Sequence, residues 1–332
     1  MNKKTTALIL VCILVIVGIC YAISKKEVVA IETTKVRIAY LPLVHGSPLY
    51  LAEEKGYFKE AGLEVELIPF QSPSQIIDAL LQGQVDFTSP GGATGIVAIA
   101  DFKNPNKLKI YSLSGGDDVI QNDSILVKSA STIKTIADLK GKKLGILTGS
   151  IQWQTVAKYF LAQNNLIAGK DVVLVDLPIN LQTQALASGQ VDALIAIEPI
   201  PTVIKKNNIG VELVDHFTTK YVSNPFYGGA GILRIEFAEK NPKTTEKVLH
   251  VFDRAIEEIN ADTNVARPYL KKYLSIDDGI IAQVPISRFR MYDKLTDQDI
   301  NGAQKFMDLF TTYKVIDGKI DFKNLLYSPI VK

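Results

Sequence analysis

Cysteine is nearly absent from this chain: its 332 residues include two, Cys12 and Cys20, both within the first 26 positions. From residue 27 onward there is no disulfide, no thiolate nucleophile and no cysteine metal ligand. Histidine is almost as scarce, with His45, His216 and His250 far apart. Without an HExxH pair or clustered acidic residues, the sequence offers no metal site and implies no cofactor. Net charge is also small: 37 Lys+Arg against 35 Asp+Glu leave +2, and setting aside Lys3 and Lys4 equalises the signs. A neutral body lacks the counterion-release term that holds polyanions, which excludes nucleic acid as a partner. No phosphate-cradling GxxxxGK[ST] loop is present. What remains is an ordinary globular composition, 47% hydrophobic and 22% charged with 22 Gly and 14 Pro. That excludes disordered, collagen-like and coiled-coil chains, and the length suggests two domains at roughly 150 residues each.

Residues 1–26 read as a signal peptide or N-terminal membrane anchor. Lys3 and Lys4 precede an unbroken apolar or small run from Ala7 to Ile23, followed by Ser24, Lys25 and Lys26. Cys20 and Ala22 place small residues where a signal peptidase reads. The run is longer than the apolar core of a signal peptide, about 7–15 residues, and slightly shorter than a spanning helix of about 20, which leaves retention open. Val17-Gly18-Ile19-Cys20 also resembles a lipobox, with bulky Ile19 in the place of a small residue. Cleavage, retention and lipidation at Cys20 all put the body outside the cytoplasm.

The body carries one unit twice. Ala79-Leu80-Leu81-Gln82-Gly83-Gln84-Val85-Asp86 recurs as Ala185-Leu186-Ala187-Ser188-Gly189-Gln190-Val191-Asp192. Around each octet the same order of apolar runs and helical stretches appears: Val36–Leu41 matches Lys143–Leu147, and Val65–Phe70 matches Val172–Leu177. Each half reads strand, helix, strand, helix, strand, helix, which predicts an α/β fold of two parallel or mixed sheets flanked by helices. Ser72-Pro73-Ser74-Gln75 has the pattern of a capping box, with Gly83 at the far end of that helix. Gly115–Asp118 marks a crossing into the second half, and the glycine- and aromatic-rich stretch 224–231 marks a return. Two crossings make a double-strand hinge and a ligand cleft. The expected domains are a discontinuous first lobe, 36–117 plus 220–332, and a second lobe, 118–219.

The opening Val36-Arg37-Ile38-Ala39-Tyr40-Leu41-Pro42, the stretch Pro48 to Leu63, the run Ile136 to Ile146 and Asp192-Ala193 through Glu198-Pro199 resemble the solute-binding proteins of ABC importers. The resemblance is to those for nitrate, sulfonate, taurine and thiamine-pyrimidine precursors. It implies a type II periplasmic-binding-protein fold and an extracytoplasmic monomer that captures a small solute between closing lobes. Delivery would be to separate permease and ATPase subunits, with the N-terminal segment as the contact with the membrane. No bond would be broken, so no catalytic residue is expected. An alternative from the same resemblance is an enzyme like the pyrimidine-precursor synthases of thiamine biosynthesis, against which the leader and the cysteine-free body speak. A sensory module that presents its ligand to a receptor is a third reading.

The cleft corners predicted at strand ends contain no Lys or Arg, which disfavours phosphate esters and dicarboxylates. A single anion can still be held by helix N-termini and hydroxyls. The corners supply His45, Tyr50, Gln71, Gly92, Thr94, Ser150, Gln152, Trp153, Glu198 and Tyr227 as candidate ligand contacts, with Phe226 beside them. Such a mixture suits a small planar or amphiphilic solute: a pyrimidine-like compound or an alkyl sulfonate such as taurine, with nitrate or bicarbonate behind.

Overall fold

The computed structural model describes residues 34–329; the leader, with Cys12 and Cys20, lies outside the described residues. The chain first builds β1 (Lys35–Tyr40), α1 (Ser47–Glu54), β2 (Glu64–Pro69), α2 (Pro73–Leu81), β3 (Phe87–Thr88), β4 (Gly92–Ala93), α3 (Thr94–Lys103) and β5 (Leu108–Gly116). It then crosses to β6 (Asp123–Lys128), β7 (Lys142–Leu147), α4 (Ile151–Gln163), β8 (Val172–Leu177), α5 (Gln182–Ser188), β9 (Ala193–Ile197), α6 (Ile200–Lys206) and β10 (Gly210–Asp215). After α7 (Phe217–Tyr221) it returns as β11 (Phe226–Arg234), α8 (Pro242–Ala261), β12 (Arg288–Met291) and α9 (Asp297–Thr312).

The first sheet runs β12-β5-β11-β3-β1-β2, with β4 on β11, and the second runs β10-β6-β9-β7-β8. In each, three strands of the repeated unit are parallel: β2-β1-β3 in one and β8-β7-β9 in the other. The sheets are mixed because the strands that cross or return join antiparallel, β11 against β3 and β6 against β9. A strand arriving from the other lobe enters from the opposite end and needs no helical crossover.

The repeated octet has a structural cause. Gly83 and Gly189 end α2 and α5 with positive φ, 70° and 80°, a conformation that glycine adopts without the Cβ penalty. Val85 and Val191 are then buried. Asp86 and Asp192 accept from the neighbouring parallel strand, Arg37 N–H of β1 to Asp86 Oδ2 at 3.1 Å and Lys143 N–H of β7 to Asp192 Oδ2 at 2.8 Å. The octet therefore fixes each helix to its sheet and contributes nothing to the cleft.

Proline in the first turn of α1, α2 and α8 suits a position whose N–H has no helical partner. One apolar cluster runs unbroken from α3 and α9 into β7 and α4, so the two sheets and their helices share a core. A second cluster covers the other face of the first sheet, where Tyr111 stacks on Phe252 of α8 with ring centroids 5.4 Å apart. Each such buried large side chain stabilises the fold by about 1.5–3 kcal/mol.

Candidate functional site

Where the strand ends of the two sheets face each other, the chain encloses a cavity of about 30 Å³. Its first-lobe wall is the loop after β1 (Leu41, Leu43, His45), the turn into α3 (Gly91, Gly92, Ala93) and the start of β11 (Phe226, Gly228, Gly229). The second lobe contributes Leu147, Gln152, Trp153 and Ile197, and the crossing between lobes adds Asn122 and Asp123. None of these side chains carries a positive charge. α3 and α4 begin at the wall, where their first backbone N–H groups can bond an anion, while Asp123 adds a carboxylate to the same wall.

His45 is the most informative group. Its ring is buried, and Nδ1 has no hydrogen-bond partner among the described residues. Desolvation lowers its pKa to about 4, so the imidazole is neutral at physiological pH and can donate or accept, but cannot act as a cation. Glycines make its space: a Cβ at Gly91 would lie 2.8 Å from His45 Cβ, and one at Gly229 would lie 2.8 Å from His45 Cδ2.

Gln152 joins the lobes. Its Oε1 accepts from Gly95 N–H at 2.9 Å and its Nε2 donates to the Gly228 carbonyl at 3.1 Å. Both partners are first-lobe backbone, while Gln152 sits in the first turn of α4. Beside it Trp153 is buried at a ring-centroid distance of 6.4 Å from Phe226, so an aromatic side chain from each lobe borders the cavity. Val44 N–H to the Glu198 carbonyl, 3.4 Å, is a further bond between the lobes.

Of the ten residues read from sequence, His45, Gly92, Gln152 and Trp153 come together on the cavity wall. The others lie off it. Tyr50 stands behind the loop, where its hydroxyl donates to the carbonyls of Leu41 and Leu43 at 3.0 and 3.1 Å and its ring stacks on Tyr273. Tyr227 faces away and donates to Asp299 Oδ1 at 2.6 Å; burial and that carboxylate raise its pKa. Gln71 is exposed. Ser150 caps α4, accepting from Trp153 N–H at 3.4 Å. Thr94 is buried at the head of α3, with no partner for its hydroxyl among the described residues. Glu198 is buried one residue beyond the wall; its Oε2 accepts from Thr202 N–H at 3.3 Å and its Oε1 is unpaired among the described residues. Burial pushes its pKa up to about 7.

Asn122 and Asp123 escaped the sequence reading. Asn122 donates to the Gly115 carbonyl and accepts from Ser287 Oγ at 2.6 Å, which fixes the crossing. Asp123 is raised to about 6 by burial and accepts from Thr218 N–H and Oγ1 at 2.8 and 2.5 Å. The available signal was an aspartate heading the apolar strand Ile125–Val127, an unusual place for a carboxylate unless it is paired.

The arrangement can hold one small solute by hydrogen bonds from a neutral imidazole and backbone donors, with Trp153, Phe226, Leu41 and Leu43 against its apolar part. The family model described as NMT1/THI5 like matches residues 45–266. A putative aliphatic sulfonates-binding protein of Bacillus subtilis (strain 168) is 27% identical over 86% of this chain and 84% of its own. A 4-amino-5-hydroxymethyl-2-methylpyrimidine phosphate synthase of Aspergillus parasiticus is 30% identical, over 47% of this chain and 43% of its own. Among solved structures, the periplasmic aliphatic sulphonate binding protein SsuA from Escherichia coli superposes with a TM-score of 0.69 at 21% identity, covering 89% of this chain and 92% of that one. The fold is that of the periplasmic binding proteins.

Proposed function

The chain belongs to the NMT1/THI5-like family, and from that premise we propose that it is the extracytoplasmic solute-binding component of an ABC importer. It captures a small organic solute between its lobes and hands it to separate permease and ATPase subunits. The observation that carries this reading is the cavity itself: it lies between two lobes bridged by Gln152 and holds a buried imidazole whose Nδ1 has no hydrogen-bond partner among the described residues. A ligand that touches both lobes binds the closed form more tightly than the open one and shifts the population toward it. The relatives that cover most of this chain are binding proteins, whereas the synthase relative covers 47% of it, which supports capture as the function.

Aliphatic sulfonates are the first solute class. A single negative charge suits the N-termini of α3 and α4 in a site without Lys or Arg, and the leucine and isoleucine walls suit a hydrocarbon tail. The ligand contacts in this reading are His45, Trp153 and the backbone at Gly92 and Gly229. Pyrimidine-like compounds are the second class, favoured by the Trp153–Phe226 pair and by the neutral His45. The test is a thermal-shift screen of the full chain in mild detergent against alkanesulfonates, taurine, nitrate, bicarbonate and hydroxymethylpyrimidines. A ligand at a hundredfold excess over Kd stabilises the folded state by about 2.7 kcal/mol. A shift with sulfonates and none with nitrate is expected; no shift with any compound would overturn the reading.

A further inference from the structure

Asp123 is the one acidic side chain on the cavity wall among the described residues. It is the first residue of β6, where the chain enters the second lobe, and it is buried. Two bonds from Thr218 of α7 fix the carboxylate, N–H to Oδ1 at 2.8 Å and Oγ1 to Oδ2 at 2.5 Å. Both donors are neutral. The cation-capable side chain that acts on it is His216, whose Nδ1 already lies 3.4 Å from Asp215 Oδ2. Burial raises the pKa of Asp123 to about 6, which still leaves it ionised at neutral pH. The cavity therefore encloses a fixed negative charge among leucines, glycines and aromatic rings, with no Lys or Arg on the wall. Desolvation keeps His45 neutral, so the imidazole cannot supply the missing charge, although its unpartnered Nδ1 marks a second polar atom left for a solute. A buried carboxylate is costly unless a cation joins it, and lobe closure removes the water that would otherwise solvate it.

We propose that Asp123 is a solute contact that selects for a positively charged group: the ligand is a sulfonate that also carries a protonated amine, with its ammonium on Asp123 and its sulfonate on the backbone N–H groups at the heads of α3 and α4. The inference rests on the sulfonate reading and narrows it from alkanesulfonates to aminoalkanesulfonates. An ammonium–carboxylate bond is charge-assisted and roughly twice as strong as a neutral one. An alkanesulfonate brings a negative charge to a cavity that already holds one, and it leaves Asp123 without a cation. A hydroxyl in place of the amine bonds the carboxylate but does not neutralise it.

The test compares calorimetric affinities of the full chain in mild detergent for 2-aminoethanesulfonate against ethanesulfonate, and for 3-aminopropanesulfonate against 3-hydroxypropanesulfonate and propanesulfonate. At one chain length or both, the amine should bind the wild-type chain about tenfold or more tightly than the alkyl compound, and more tightly than the alcohol. Asp123→Asn keeps the shape and can keep both bonds to Thr218 while removing the charge. It should weaken the amine by about tenfold or more and tighten propanesulfonate, because the wall no longer repels an anion. An Asp123 that only holds the hinge would weaken both compounds together, and that result would overturn the contact. Amines that bind no better than their alkyl counterparts at either length would also overturn it and leave sulfonate capture standing. If Asp123→Asn does not fold, the wild-type ranking of amine over alcohol decides, since Asp123 is the one carboxylate on the wall among the described residues. If none of these compounds binds the wild-type chain, the sulfonate reading falls and the contact with it.

Discussion

Replacing Glu198 with glutamine tests the electrostatics of the buried region where the lobes meet. The folded carboxyl titrates near 7 in place of the ordinary 4.5, because burial penalises its charged form more than Thr202 and Lys205 favour it. The folded chain thus holds this proton more tightly than the unfolded chain does. Stability from this group is greatest below pH 4.5, declines as pH rises from 4.5 to 7, and is flat above. At about 1.4 kcal/mol per pH unit, the decline amounts to roughly 3 kcal/mol. Glutamine keeps the acceptor for Thr202 N–H and does not titrate. The stability difference between Glu198→Gln and wild type should therefore shift in the variant's favour by about 3 kcal/mol between pH 4.5 and pH 8. Asp123, raised to about 6, and His45, lowered to about 4, titrate in both proteins and largely cancel. Urea denaturation at five pH values reads the difference. A gap constant to within about 0.5 kcal/mol would refute the claim that the folded chain shifts this carboxyl, since the additivity error for distant sites is no larger.

Gln152→Ala removes both side-chain bonds between the lobes, each contributing on the order of 1 kcal/mol; small-angle scattering should show a larger radius of gyration without ligand, and an unchanged radius would count against the latch. Tyr227→Phe strips a donor from the buried Asp299 and should cost about 1–3 kcal/mol in denaturant, while solute affinity stays within about twofold by calorimetry because the ring faces away from the cavity. Gly229→Ala drives a methyl against His45 and Ser114 and should lower stability by about 1–3 kcal/mol. A melting temperature equal to wild type would show that the glycine is not needed there.

The doubled architecture was legible because its signals are local. Gly83, Gly189, Val85 and Val191 end a helix and start a strand within a few residues, and the repetition marks two lobes. The carboxylates of Asp86 and Asp192 were not legible, since their strand partners lie 49 residues away. The capping box at Ser72 was read from a pattern that the structure does not use: Ser72 makes no cap bond, and Gln75 Oε1 accepts from Gln71 N–H at 3.4 Å.

Sequence reading put His45, Gln152 and Trp153 at the cavity wall because loops and first helical turns at strand ends border it. Tyr227 was one strand position off. Side chains on β11 alternate, so with Phe226 on the cavity Tyr227 must face α9, and period two would have assigned it there. Tyr50 and Asp123 depend on contacts with Tyr273 and Thr218 that no local pattern encodes. Glu198 lies just past the end of β9, and its side chain accepts from Thr202 N–H in the first turn of α6 instead of lining the cavity.

Trp153 is the only tryptophan in the chain and lies on the cavity wall, so its emission reports on the proposed site alone. Titrating the wild-type chain with the sulfonate that gives the largest thermal shift should change that emission saturably, with a midpoint equal to the calorimetric Kd. A compound that stabilises the chain and binds in the calorimeter but leaves the Trp153 emission unaltered would place its binding elsewhere and contradict capture between the lobes.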